Sequence, residues 1–322
     1  METVIIIVMS TIWRRGLVAA VLLAAPFALA SCSSGGDDQG VASSSKDAPP
    51  CPTTPVDVVV SVDQWGGIVS ELGGACAKVT TLLASSSIDP HDYEPSPADA
   101  VKFSGAQLVV VNGGHYDEWA TKLAAGSAPA APVVDAVQVS GLDQNGTNPH
   151  TWYSPTAVAQ MADAVTAELS KLAPPVADYF AQRRSEFATS LKPYDDLIAA
   201  IKKGASGKRY AATEGVFDYM ASALGLANDT PAGYQTAANN ESDPSPADLD
   251  AFLGLLREKG VDVLIYNTQT EGSVPQQLRT AAESAGVPVV EVTETVAPGA
   301  KSFEAWQVDQ LTALAKALGV AT

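Results

Sequence analysis

Pro244-Ser245-Pro246-Ala247-Asp248 opens a helix-period run that reaches Lys259, and Val261-Asp262-Val263-Leu264-Ile265-Tyr266-Asn267 follows it as a strand-like run. The same order stands earlier in the chain. Pro95-Ser96-Pro97-Ala98-Asp99 precedes a short helical stretch, and Gln107-Leu108-Val109-Val110-Val111-Asn112 comes after it. In both copies Ser stands before Pro at a helix start. Ser there can accept from first-turn N–H groups, and Pro at the first helical position gives up no hydrogen bond. Ser-Pro-Ala-Asp is a good helix start in any protein, so capping chemistry alone accounts for its appearing twice. The downstream strand ending in Asn in each copy favours a plan shared by two lobes.

Working outward, β-branched runs alternate with helix-period segments from Val56 onward. The first lobe offers strands at Val56–Val62, Lys78–Ala84, Gln107–Asn112 and Pro132–Val137, with helices near Gln64–Leu72, Pro97–Phe103 and Tyr116–Ala124. The second offers strands at Arg209–Thr213, Val261–Asn267 and Val287–Val292, with helices near Gly215–Leu224, Pro246–Lys259, Val274–Ser284 and Phe303–Leu318. Alternation of this kind predicts an α/β fold: parallel sheets covered by helices. Between the lobes, Val176, Phe180, Phe187, Leu191, Tyr194, Ile198 and Ile201 recur in steps of three, four or seven. That is one helical stripe, and about 28 residues at ~1.5 Å each make a spine of roughly 42 Å. Pro193 lies inside it and should kink it. The expected organisation is an N-terminal lobe over 51–173, a linking helix over 174–205 and a C-terminal lobe over 206–322.

The N-terminus addresses the compartment. Arg14 and Arg15 precede an uncharged apolar run, Leu17 to Ala30, shorter than the ~20 residues of a spanning helix. It ends in Leu29-Ala30-Ser31-Cys32, which resembles a bacterial lipobox and implies cleavage before Cys32 and lipid attachment there. An ordinary secretory signal with a chance cysteine is the alternative. Residues 1–31 are therefore expected to be a signal peptide, with Met9 an alternative first residue. Ser33 to Pro50 holds almost no large apolar residue and reads, with Cys32, as a flexible tether. The formal net charge is −17. Glu2, Arg14 and Arg15 account for +1 of it, leaving −18 after cleavage. An acidic surface argues against nucleic acid and suits cations. Beyond Cys32 only Cys51 and Cys76 occur. They flank the first strand and its following helix, on one edge of a βα unit, and are expected to pair in an oxidising compartment. Two thiols with no nearby His would make a poor metal site.

The chain has three histidines. His91 lies in Asp89-Pro90-His91-Asp92-Tyr93-Glu94-Pro95, after the second strand, and His150 in Asn148-Pro149-His150-Thr151-Trp152, before a helix. Pro before each restricts the backbone that aims the imidazole, and both fit the region beyond the carboxyl ends of strands where open α/β sheets bind ligands. His115, in Asn112-Gly113-Gly114-His115-Tyr116, also follows a strand.

The first of these motifs resembles the first ligand motif of the zinc- and manganese-binding solute-binding lipoproteins of metal ABC importers (cluster A-I), and the second resembles that family's second. Thr213-Glu214-Gly215-Val216-Phe217-Asp218-Tyr219 resembles the third, where members carry His or Glu. The fourth ligand of the family is a carboxylate, usually Asp, after the last strand of the C-terminal lobe. Glu291-Val292-Thr293-Glu294 stands there, and Glu294 is the choice because Glu291 still falls within the strand. The resemblance spans Val56 to Leu318. It implies a metal site in the interlobe cleft made by His91, His150, Glu214 and Glu294. The family has no ligand motif at His115, whose place after a strand makes it an outer group or alternative ligand by position alone. The resemblance further implies a monomer outside the cell membrane, anchored through Cys32, that hands its ion to a permease and its ATPase. Two imidazoles and two carboxylates suit zinc in a tetrahedron or manganese at higher coordination, with ferrous iron also possible. The His-rich loop of many zinc-dedicated relatives does not occur in this sequence. A secreted metallohydrolase is the rival from another class, but no His-Glu-x-x-His and no separate base is evident. A surface adhesin with a structural metal, and a binder of an organic solute or chelated metal, complete the alternatives.

Overall fold

The computed structural model describes residues 50–84, 93–142, 148–240, 242–270 and 272–321. The expectations for the signal, for Cys32, for the tether as far as residue 49 and for His91 lie outside the described residues.

Strands β1 (Val56–Val62), β2 (Ala77–Leu83), β3 (Leu108–Val111) and β4 (Val133–Asp135) form one sheet in the order β2-β1-β3-β4. Strands β5 (Arg209–Ala212), β6 (Ala227–Asn228), β7 (Val263–Asn267) and β8 (Val289–Val292) form a second in the order β6-β5-β7-β8. Every pairing is parallel. The two sheets therefore follow one plan.

Helices α1 (Asp63–Gly73), α2 (Pro97–Phe103), α3 (Glu118–Ser127), α4 (Ala136–Ser140) and α5 (Pro155–Leu172) surround the first sheet. Then α6 (Ala177–Ser190) and α7 (Lys192–Gly204) run between the lobes. The second sheet carries α8 (Asp218–Leu224), α9 (Ala232–Asn239), α10 (Pro246–Arg257), α11 (Ser273–Ala285) and α12 (Phe303–Leu318). The echoed Ser-Pro-Ala-Asp starts α2 and α10, and each of these helices leads into the third strand of its sheet. The caps are alike in kind. In each the Ser hydroxyl donates to the carboxylate of the Asp three residues on, at 2.7 Å for Ser96 and Asp99 and 2.6 Å for Ser245 and Asp248.

Alternation along the strands divides the apolar residues between two faces. Tyr210, Ala212, Val263, Ile265, Val290 and Val292 join a core continuous with that of the first lobe. Ala211 and Leu264 instead join Phe252, Leu256 and Leu278 in a separate core under α10 and α11. The faces of the two lobes that meet are thus one packed interior.

The spine differs in one detail from a single kinked helix. It breaks at Leu191, whose backbone stays near the helical region (φ −72°, ψ −11°), and restarts as α7. Pro193, the second residue of α7, has no N–H to offer the preceding turn, which accounts for the break. Phe180, Phe187, Leu191, Tyr194 and Ile201 of the stripe are buried. Helix α6 packs on α1 and α5 of the first lobe, and α7 on α8 and α12 of the second.

Elsewhere the fourth strand is shorter than expected. It stops at Asp135, whose side chain accepts from the Gln138 N–H at 2.9 Å and starts α4. Helix α3 begins at Glu118 rather than Tyr116, because Asp117 is committed to the turn before it: its carboxylate accepts from the N–H groups of Asn112 and Gly113. Strand β6 and helix α9 are additions that no pattern in the sequence marked. Cys51 and Cys76 are joined by a disulfide, their Cα atoms 5.0 Å apart, tying the chain before β1 to the turn after α1. No helix among the described residues is long and apolar enough to cross a membrane.

Candidate metal centre

Three neighbouring strands of the second sheet deliver polar side chains at their carboxyl ends. Glu214 stands two residues beyond β5, in extended backbone (φ −158°, ψ 158°) just before a short 3-10 turn, Gly215–Phe217. Asn267 is the last residue of β7, and Glu294 lies two residues beyond β8. Because β7 lies between β5 and β8, Asn267 stands between the two acids. Its amide donates to Glu214 Oε2 and to Glu294 Oε1, both at 2.8 Å. Thr270 Oγ1 adds a second donor to Glu214 Oε2 at 2.6 Å.

From the first lobe comes His150, at the start of the 3-10 turn Thr151–Tyr153 and only 4 % exposed. Its Nδ1 is 2.6 Å from Asn148 Oδ1, which also accepts the His150 backbone N–H at 3.0 Å. An amide oxygen only accepts, so this network assigns a ring proton to Nδ1 and turns Nε2 towards the two acids. Nε2 faces Glu294 Oε2 at 3.6 Å and Glu214 Oε1 at 3.9 Å. One candidate ligand atom from each of His150, Glu214 and Glu294 lies within 4.8 Å of the others.

The supporting contacts cross between the lobes. Asn148 Nδ2 donates to the Gly215 carbonyl, and the Tyr219 hydroxyl donates to the Asn148 carbonyl at 2.8 Å. Glycine suits position 215: a Cβ there would sit 3.1 Å from Asp218 Oδ2 and 3.2 Å from Asn148 Nδ2. Asn112, just beyond β3, donates to the Pro149 carbonyl at 2.8 Å and accepts from Trp65 Nε1 at 3.0 Å, which fixes the loop that carries His150. Tyr116 accepts from Gln64 Nε2 and donates to Glu294 Oε2, at 2.9 and 3.3 Å.

The electrostatics follow from burial. Desolvation pushes the Glu214 carboxyl up, and the Glu294 charge adds to it against the opposing help of His150, Thr270 and Asn267. Burial alone would lower His150, but Glu294 and Glu214 outweigh it and the imidazole is raised. Asp218, pushed up by burial, lies close enough to contribute to that field. Both shifts show the acids and the imidazole drawing protons into a dry site, and a divalent cation can stand in place of those protons. The donor set, one nitrogen and two carboxylates, is one that transition metals take.

The structure thus brings His150, Glu214 and Glu294 together. It does not bring His115 to them: that side chain is 90 % exposed and pairs with Glu118. Glu291 also points away, 53 % exposed and 2.7 Å from Arg279. The supporting groups Asn112, Asn148 and Asn267 were not among the expected site residues. For two of them a signal existed, since the echoed strands both end in Asn.

The chain is similar to known proteins over most of its length. The family described as ZnuA, zinc-uptake complex component A, periplasmic, matches residues 58–317. The chain is 27 % identical over 282 residues to the manganese-binding lipoprotein MntA of Bacillus subtilis, covering 84 % of this chain and 86 % of that protein. It is 25 % identical over 215 residues to the high-affinity zinc uptake system protein ZnuA of the same organism, covering 61 % of this chain and 66 % of that one. Among solved structures, the SBP FpvC from Pseudomonas aeruginosa in complex with Mn2+ superposes with a TM-score of 0.70 at 23 % identity, over 83 % of this chain and 99 % of its own. The periplasmic metal binding protein from Candidatus Liberibacter asiaticus gives 0.66 at 18 %, over 82 % and 99 %. These last two likenesses establish the two-lobed fold.

Proposed function

We propose that this chain, which belongs to the family of the periplasmic zinc-uptake complex component A, is the extracytoplasmic solute-binding protein of a metal ABC importer. It captures a divalent transition-metal ion, zinc or manganese, and delivers it to the membrane permease and its ATPase. The observation that carries this reading is the buried His150 Nε2, facing two carboxylates from the other lobe at 3.6 and 3.9 Å. His91 is the fourth ligand in this reading, supplied by the motif it shares with the family. The apolar segment ending at Cys32 exports the chain and the lipidated cysteine anchors it, in keeping with the lipoprotein names of MntA and of FimA from Streptococcus parasanguinis.

The chain acts by holding and releasing, not by catalysis. His150 comes from one lobe and the two acids from the other, so an ion stabilises the arrangement that completes its coordination shell. Loss of the ion leaves Glu214 and Glu294 repelling each other and loosens the loops that bear them. The permease reads that difference between loaded and empty protein. The lobe interface, where Tyr153 packs on Phe217 and Trp306, holds the change to loop rearrangement and small lobe shifts. Neither the metallohydrolase nor the adhesin alternative draws support from the fold or the relatives.

The test is metal content and titration. The mature domain is purified, stripped with chelator and titrated with zinc and with manganese. His150→Ala should lose more than the about 100-fold that removing an outer-shell partner costs. A stripped wild-type domain that takes up neither ion, or a His150→Ala variant with undiminished affinity, would overturn the reading.

A further inference from the structure

We infer that Asn267 sets which metal the site prefers, by restricting Glu214 and Glu294 to one oxygen each; the inference rests on the metal-carrier reading above. Three observations carry it. First, the amide of Asn267 has two hydrogens, and it divides them between the two carboxylates: one goes to Glu214 Oε2 and one to Glu294 Oε1. Second, it is the other oxygen of each acid, Glu214 Oε1 and Glu294 Oε2, that faces Nε2 of His150; the Tyr116 hydroxyl reaches Glu294 Oε2 at 3.3 Å, a longer bond than the 2.8 Å from Asn267 to Oε1. Third, the amide is held so that it cannot turn over. Its Oδ1 accepts the Gln269 backbone N–H at 3.1 Å, and its own backbone N–H donates to Thr213 Oγ1 at 3.1 Å. The residue is 1 % exposed, so water does not compete for these bonds.

The consequence is a count of donors. For an ion to take both oxygens of either acid, it must draw in the oxygen that Asn267 holds, and for Glu214 the oxygen that Thr270 holds as well. The buried amide N–H, and for Glu214 the Thr270 hydroxyl as well, would then share its acceptor with the cation, a weakening that no water offsets in a dry site. With one oxygen from each acid and two imidazoles, the shell has four donors. Zinc is satisfied by four in a tetrahedron, whereas manganese favours six, mostly oxygens. Asn267 touches no ion in this scheme. It is a positioning residue that lowers the oxygen count and so tilts the site towards ions of the zinc type.

The experiment compares wild type with Asn267→Ala and Asn267→Ser, using zinc and manganese alone as probes in competition with a chromophoric chelator. Melting curves establish that each variant folds. The quantity read is the ratio of the manganese Kd to the zinc Kd, so the intrinsic advantage of zinc in the Irving–Williams order cancels between proteins. Removing the amide lets both carboxylates close on the ion with two oxygens, and the ratio should fall by about tenfold or more, on the scale of outer-shell effects. Parallel loss of affinity for both ions, with the ratio unchanged, overturns the inference and leaves the carrier function standing. Failure of the wild type to bind either ion overturns the carrier function itself. If neither variant folds, X-ray absorption of the manganese-loaded wild type decides: one oxygen per carboxylate supports the role of Asn267, and two-oxygen ligation by both acids overturns it.

Discussion

Replacing Tyr153 by Phe removes one oxygen atom from the place where the two lobes are pinned together. Tyr153 follows His150 by three residues and is fully buried. Its hydroxyl lies 2.7 Å from the Thr293 carbonyl and 2.8 Å from Gln310 Oε1, and shares its single hydrogen between them. Burial pushes this phenol well above its ordinary range, so it stays protonated and a donor at every working pH. Phe keeps the ring against Phe217 and Trp306, at 5.2 and 5.8 Å between centroids, and the apolar packing is retained. What changes is the hydrogen bonding. Gln310 Oε1 still accepts the Thr293 N–H at 3.2 Å, whereas the Thr293 carbonyl loses this donor. A buried acceptor deprived of its partner costs about 1–3 kcal/mol, and the surviving bond to Gln310 puts the value in the lower half of that range, about 1.5 kcal/mol. At about 2–4 °C per kcal/mol for a domain of this size, the melting temperature should fall by about 3–6 °C. Thr293 precedes Glu294, so zinc affinity should fall too, by up to about tenfold. Urea unfolding of the metal-free domain and a zinc titration measure the two effects. A stability loss below about 0.5 kcal/mol, together with unchanged affinity, would show that the hydroxyl holds neither the interface nor the Glu294 loop.

Two further predictions concern the frame around the site. Cutting the Cys51–Cys76 crosslink, which joins positions 25 apart, with the double Ser variant should cost about 3.5 kcal/mol by the chain-entropy relation; urea midpoints of the two proteins measure it, and equal midpoints would rule the contribution out. The second concerns pH. Burial, reinforced by the Glu304 carboxylate and opposed by Arg183, raises Glu71 to about 7, and burial raises Asp63 to about 7. A carboxyl raised in the fold contributes stability that is present below its unfolded value and lost as pH rises through the folded one. The metal-free domain should therefore melt lower at about pH 8 than at about pH 5, and Glu71→Gln should reduce the difference. A pH slope that the variant leaves unchanged would show that Glu71 does not carry it.

The sheets were legible because their central strands are buried on both faces and read as unbroken apolar runs. Val58, Val59 and Val60 in β1, Leu108 to Val111 in β3, and Val263, Leu264 and Ile265 in β7 leave no ambiguity. Strand β6 was not legible for the opposite reason. It is two residues long, Ala227 and Asn228, both exposed at a sheet edge. Helix α9 buries little beyond Tyr234 and so shows no apolar stripe. At the site, Glu294 could be told from Glu291 by counting past the strand, and the structure turns one inward and the other towards Arg279. Asn267 could not be assigned a task that way. Its role depends on β7 lying between β5 and β8, and strand order is a property of the fold rather than of any local motif.

That order also gives the internal echo a physical meaning. Asn112 and Asn267 occupy equivalent places, at the end of the third strand of each sheet and next to the strand that begins it. Each is buried, and each uses its amide to fix a ligand loop, yet they fix different things. Asn112 donates to a backbone carbonyl beside His150, which positions an imidazole. Asn267 donates to two carboxylates, which positions charge. In the proposed function, one lobe would thus prepare the nitrogen side of a coordination shell and the other the oxygen side. Neither half alone offers the donor set proposed, so an ion held between them would gain from both lobes together, and its departure would be felt in both.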